Sequence, residues 1–293
     1  MKQSRKGLIM VMISGFVYGT MPSLVTLCYE QGATSTIVLL FRYAILSVIF
    51  FPATVRAKNS IDVLKKNWRS LLALMLFAAI TPLLLYNAYN YLPTGVVTTI
   101  HFLYPTVVML MCIFIFHEKI SKIKLVCVTL CVVGVLLLLD LSAGQKLSSV
   151  GLILTALSSL TWGCYIVGLD KFKIGEISKE QLLFFIEFGN LLITGLIYGP
   201  ISGTLNANIT LRGWFLLIGT NLVISILGTM MFTIGVRYTD AQVSAIASTL
   251  EPITSIFVGV LFLHESFTSK TAIGSVMILT AVVLLALWGD KEK

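Results

Sequence analysis

The chain has 293 residues, of which 57% are hydrophobic and 12% charged, with a mean hydropathy of +0.95 and a formal net charge of +8. Soluble domains hold roughly 45–50% apolar residues, so this composition excludes a soluble protein and leaves a membrane protein. The basic balance requires no nucleic acid, because a cytoplasmic face beside anionic lipid accounts for it.

A membrane-spanning helix takes about 20 predominantly apolar residues. Ten segments meet this, at 7–28, 36–55, 70–90, 94–116, 122–140, 149–169, 180–199, 212–234, 240–262 and 268–288. Continuous runs such as VCVTLCVVGVLLLL (126–139) lack the alternation of a transmembrane strand, so the expected class is all-α. The first span follows Lys2, Arg5 and Lys6 with no A-x-A cleavage site and is read as uncleaved. Within it Gly15 and Gly19 form a small-xxx-small pattern for close helix contact, and Pro22 is expected to break the helix.

The second span carries Arg42, which can pair with a buried carboxylate, bind a substrate carboxylate or snorkel. The third ends in LLLYNAYNYLP; Tyr86, Tyr89 and Asn90 share one face, Asn87 and Tyr91 another. Tyrosines near a helix end commonly form an interfacial belt, which suits Tyr91, while Tyr86 and Asn87 lie deeper. The fourth span holds His101, Tyr104 and Pro105 and ends in His117-Glu118. The sixth holds Trp162 and Tyr165 one turn apart, and the seventh holds Glu187. The ninth carries Ser244, Ser248, Glu251 and Ser255 at helical spacing, with Pro252 beside the glutamate and His264-Glu265 at its end.

Buried ionisable groups in a span cost about 2.5–3.5 kcal/mol each on insertion scales and mark function by default. Arg42, His101, Glu187 and Glu251 are the four in this chain. Glu251, near the middle of its span, has three readings: a structural or gating tie, a substrate contact, or a proton carrier. Pro105 and Pro252 are each expected to free a carbonyl one turn upstream, which membranes tolerate only beside protein or a watery cavity. The five cysteines lie in apolar runs without metal-ligand spacing, so neither a metal nor a disulfide is expected.

Placing both termini in the cytoplasm puts 17 of the 21 Lys and Arg on inner segments and three on outer loops, with Arg42 inside a span. The positive-inside rule favours this orientation. Superposing FLYP (102–105) on TLEP (249–252) matches Tyr91 with Tyr238, Pro105 with Pro252, His117 with His264 and Glu118 with Glu265, all 147 positions apart. SGFVYG (14–19) and SSLTWG (158–163) echo each other at 144. The chain therefore reads as two five-helix repeats, 1–140 and 149–293, joined by 141–148. Five being odd, the second repeat enters the membrane inverted.

These motifs, from the FLYP…HEKIS and TLEP…LHESF halves to the short basic N-terminus, resemble the EamA-like branch of the drug/metabolite transporter superfamily. The resemblance covers nearly the whole chain. It implies a central cavity bounded by spans three, four, eight and nine, with help from one, two, six and seven.

Inverted repeats recur in secondary transporters that alternate access around a midplane site. The expected activity is transport of a small organic metabolite, an amino acid or an organic cation such as a quaternary amine, across the cytoplasmic membrane, with protons as a candidate coupling ion. The expected substrate contacts are Glu251, Tyr86, Asn87, Asn90, His101, Tyr104, Trp162, Tyr165, Ser248 and Arg42. Gating or helix breaking falls to Pro22, Pro105, Pro252, Glu118 and Glu265. No cofactor is expected, and a monomer and a homodimer stay open. A membrane-embedded enzyme and a non-transporting structural protein are the alternatives. An ATP-driven pump lacks its phosphate loop, and an enzyme lacks a nameable partner for His101.

Overall fold

The computed structural model describes residues 2–57, 59–88, 91–92, 97, 100–138, 148–172, 174, 177–262 and 269–288. Tyr89, Asn90, His264, Glu265 and the segment 139–147 lie outside the described residues, and so do the side chains of Pro22 and Tyr86.

Described residues in regular structure are all helical. The elements are α1 (Lys2–Glu30), α2 (Ser35–Arg56), α3 (Ser60–Ala88), α4 (Tyr104–Phe114), α5 (Lys122–Leu138) and α6 (Ser149–Lys171). They continue with α7 (Lys179–Ser202) and α8 (Leu211–Tyr238), then α9 (Ala241–Ala247), α10 (Leu250–Phe262) and α11 (Ser269–Trp288). Side chains set many of the starts: the Thr34, Ser148, Ser178, Thr210 and Asp240 oxygens each accept from a backbone N–H of the following first turn.

Five of these helices, α2, α3, α6, α7 and α8, are long and apolar enough to cross a membrane. The arms of α1, Ser4–Met21 and Ser23–Glu30, meet at 41° across Pro22 and make a sixth if counted as one span. The ten spans expected from sequence are thus only partly continuous helices. The ninth is broken at Ser248–Thr249 between α9 and α10, and the described helix of the fourth is the 11-residue α4. The outer surface is apolar: Phe16, Val48, Leu196 and Phe215 are each more than 60% exposed. Soluble monomers rarely present such a surface, which here faces lipid.

The packing is paired. α3 packs on α6 as α1 packs on α8; α4 packs on α6 as α1 packs on α10; α2 lies against α7 and α5 against α11. Glycines carry the close approaches at matching positions. A Cβ on Gly19 would lie 2.4 Å from Thr254, and one on Gly163 would lie 2.9 Å from Val107. A Cβ on Gly7 would lie 2.7 Å from the Tyr238 Cβ, and one on Gly151 would lie 2.9 Å from the Tyr91 Cβ. Each second contact repeats the first, 144 positions on for the glycine and 147 back for its neighbour.

Candidate functional site

A cavity of about 100 Å³ opens where these helices meet, several times the space one water requires. Its wall pairs positions from the two halves: Tyr18 with Trp162, Met21 with Tyr165 and Tyr43 with Glu187 at a separation of 144, Pro82 with Thr229 and Leu85 with Phe232 at 147. Both members of all five pairs line it. Other lining positions do not correspond between the halves, among them Arg42 and His101 from the first and Asn190, Thr233 and Glu251 from the second.

Arg42, two turns into α2, directs Nη2 at the Tyr18 hydroxyl (2.8 Å) and both Nε and Nη2 at Thr229 Oγ1 (3.2 and 3.1 Å). The Tyr18 and Thr229 oxygens are themselves 2.9 Å apart. Ser225 donates to the Arg42 carbonyl at 3.0 Å, anchoring α2 to the π-turn Ile224–Met230 of α8. That turn carries one residue more per hydrogen-bonded loop than an α-helix, a feature frequent at functional sites. Across the cavity the Trp162 ring stacks on Tyr165 (5.3 Å) and on Phe232 (5.2 Å), with Tyr104 edge-on at 6.4 Å. Glu187 and Asn190, one turn apart on α7, complete the polar wall.

Of the side chains expected in the site, Arg42, His101, Trp162, Tyr165 and Glu251 line the cavity. Tyr104 and Ser248 stand behind the wall. Tyr104 is fully buried and its hydroxyl lies 2.6 Å from Ser248 Oγ, tying α4 to the α9–α10 break, as His101 Nδ1 ties to Ser158 Oγ at 3.0 Å. Asn87 turns back on its own helix, its Nδ2 donating to the Leu83 carbonyl at 2.7 Å.

The expected stripe from Ser244 to Ser255 is not one helical face, because the chain breaks between Ser248 and Leu250. Pro252 consequently sits in the first turn of α10, where a missing N–H costs little. The Ser248 carbonyl is not free: it accepts from Glu251 N–H at 3.0 Å. Pro105 likewise stands in the first turn of α4. Both prolines start helices rather than interrupt them.

The sequence reading missed Thr229, Phe232, Thr233 and Asn190, and it left Glu187 out of the site while counting it among the buried charges. The repeat held a signal for one of these, since Thr233 matches the expected contact Tyr86, 147 positions earlier in the third span.

The profile of the EamA-like transporter family matches residues 5–140 and again 149–287. The chain belongs to this family. It is therefore a multi-pass membrane protein of a small-molecule transporter family. The chain is similar to Protein PecM of Dickeya dadantii (strain 3937), 24% identical over 217 residues that cover 72% of this chain and 71% of PecM. A protein of known crystal structure superposes with a TM-score of 0.78 at 16% identity, over 98% of this chain and 99% of that one. That likeness speaks for the fold alone.

A second polar cluster of this transporter lies where α4 and α6 end and α9 begins. Glu118 accepts from Lys171 through one carboxylate oxygen and from Gln242 Nε2 (2.8 Å) through the other. Lys171 also pairs with Asp170 at 2.8 Å, and Asp170 accepts from the Ala241 N–H at 3.2 Å. Lys124 pairs with Asp240 at 3.1 Å. Beneath the cluster Cys112 is fully buried, its carbonyl accepting from Glu118 N–H at 2.9 Å.

Proposed function

We propose that the protein is a secondary transporter that moves a small ammonium-bearing organic solute, an amino acid or an organic amine, across the cytoplasmic membrane. Access to the cavity alternates as two inverted five-helix repeats rock against each other, with both termini in the cytoplasm. One observation carries this reading: the cavity is walled by equivalent positions of both halves and holds two carboxylates and one guanidinium. A site on the axis of two repeats is the geometry that alternating access uses. Two carboxylates facing one guanidinium favour a solute with positive charge, and the same carboxylates make protons the coupling ion of choice.

Thermal unfolding of the detergent-purified protein tests this against amines, zwitterionic amino acids, and neutral sugars or nucleosides. A ligand at 100 times its dissociation constant stabilises by about 2.7 kcal/mol. Amines or amino acids are expected to stabilise, with the gain lost in Glu251→Gln. Stabilisation by neutral solutes alone would overturn the proposal.

The Glu118–Lys171–Gln242 cluster is the closed gate of one face in this reading, the cytoplasmic one by the distribution of Lys and Arg. Lys171→Ala is expected to open it. Maleimide labelling of Cys112 should then rise well above the parent rate, while Cys127, buried between other helices, labels unchanged. Equal Cys112 labelling in parent and variant would reduce the cluster to a structural tie.

A further inference from the structure

We infer that Glu187 and Asn190 form a subsite for an ammonium group that bears N–H donors, so that the transporter selects primary ammonium solutes over quaternary ones. The inference rests on the proposed carriage of an ammonium solute and decides which kind.

Both side chains are on α7 at spacing i, i+3, which places them on one face. Both line the cavity and are almost fully buried, at 2% and 1% exposure. Glu187 Oε2 and Asn190 Oδ1 accept no hydrogen bond among the described residues. Buried polar atoms in folded proteins are almost always paired, and an unpaired acceptor is held only at a cost in stability. Two such acceptors on one wall of a cavity are completed by a donor that enters it. A primary ammonium carries three N–H groups; a quaternary ammonium carries none.

The aromatic wall points the same way. Recognition of a quaternary ammonium uses open ring faces. Here the Trp162 ring is stacked on Tyr165 and Phe232, and the Tyr18 ring lies under the Arg42 guanidinium, 5.2 Å from its centroid. Arg42 directs its Nε and Nη2 toward Tyr18 and Thr229. The Glu187–Asn190 acceptors are left for the solute.

The test uses the full chain in detergent and four probes: leucine and butylamine, each beside its N,N,N-trimethyl counterpart. Thermal unfolding is measured for the parent, Glu187→Gln and Asn190→Leu. In the parent the two primary ammonium probes should raise the unfolding temperature and the trimethyl probes should not. Each variant should weaken the primary probes about tenfold or more, the loss of one charge-assisted hydrogen bond. Without ligand, both variants should be at least as stable as the parent, because Asn190 Oδ1 and Glu187 Oε2 accept no hydrogen bond among the described residues and Arg42 keeps Glu251 as a counter-charge when Glu187 is neutralised. Equal shifts by primary and trimethyl probes would overturn the inference and leave ammonium transport standing. No shift by any of the four, alongside stabilisation by neutral solutes, would overturn the proposed function itself. The parent comparison needs no variant, so it decides even if a variant fails to fold.

Discussion

Gly19→Ala is expected to lower the unfolding temperature sharply and to abolish transport. A Cβ at Gly19 would stand 2.4 Å from the Thr254 Cβ and 2.5 Å from the Glu251 carbonyl oxygen. Neither atom is the loose end of a side chain, so α1 and α10 must separate. Overpacking of this kind costs about 1–3 kcal/mol, and rigid backbone on the receiving side places Gly19 at the upper end. The functional loss follows from the same geometry, because the displaced turn holds Glu251 against the cavity. Two companions calibrate the result. Gly163→Ala meets the Val107 Cγ1 at 2.9 Å, a longer contact with no backbone atom among its nearest neighbours, and should cost less. Gly219→Ala on α8 meets nothing within 4 Å; it should be neutral or stabilising by up to about 1 kcal/mol, the difference in helix propensity between the two residues. If Gly19→Ala unfolds no earlier than Gly219→Ala, the α1–α10 contact does not hold the site.

Gly19 also shows what the sequence makes legible. Small residues at i, i+4 before a proline announce a close helix contact whatever the partner, and the partner, here the turn of Glu251 and Thr254, is a fact of packing. Arg42 and Glu251 stood out for a similar reason, since a charge in an apolar run is costly and needs an explanation. Glu187 met the same test but lay beside no proline, and the residue 144 positions earlier is Tyr43, so nothing local tied it to the site. Thr229 and Asn190 were harder still. Small polar side chains are common in apolar spans, where most bond back to their own helix, as Asn87 does to Leu83. Which of them face a cavity is a fact of packing. The break at Ser248–Thr249 was hidden by composition: the run on both sides is apolar, so Pro252 read as a mid-helix lesion, whereas the chain restarts its helix just before it. Tyr104 and Ser248 were misplaced for the same reason, because a continuous helix would have turned both toward the interior of the site. In the broken one their hydroxyls meet and brace the wall from behind.

Arg42→Met is the variant expected to cost most. It removes the guanidinium that holds Tyr18 and Thr229, although those two hydroxyls keep their own contact at 2.9 Å. The larger effect is on charge. Glu187 and Glu251 both feel Arg42, and stripping a buried ion of its partner typically costs about 3–5 kcal/mol. If that is the mechanism, adding Glu187→Gln to Arg42→Met should return much of the lost stability, because the two changes share one network and are not additive. Transport should not return, since the fork that fixes Tyr18 is still missing. Arg42→Lys separates the parts: it keeps the charge but cannot present two donors to Thr229 and one to Tyr18, so it should retain most stability and little transport. Thermal unfolding and solute uptake into vesicles, measured on the same four proteins, read out each contribution. Full stability and full uptake in Arg42→Met would mean that the guanidinium neither balances the carboxylates nor shapes the cavity, and the charge argument for an ammonium solute would lose its basis.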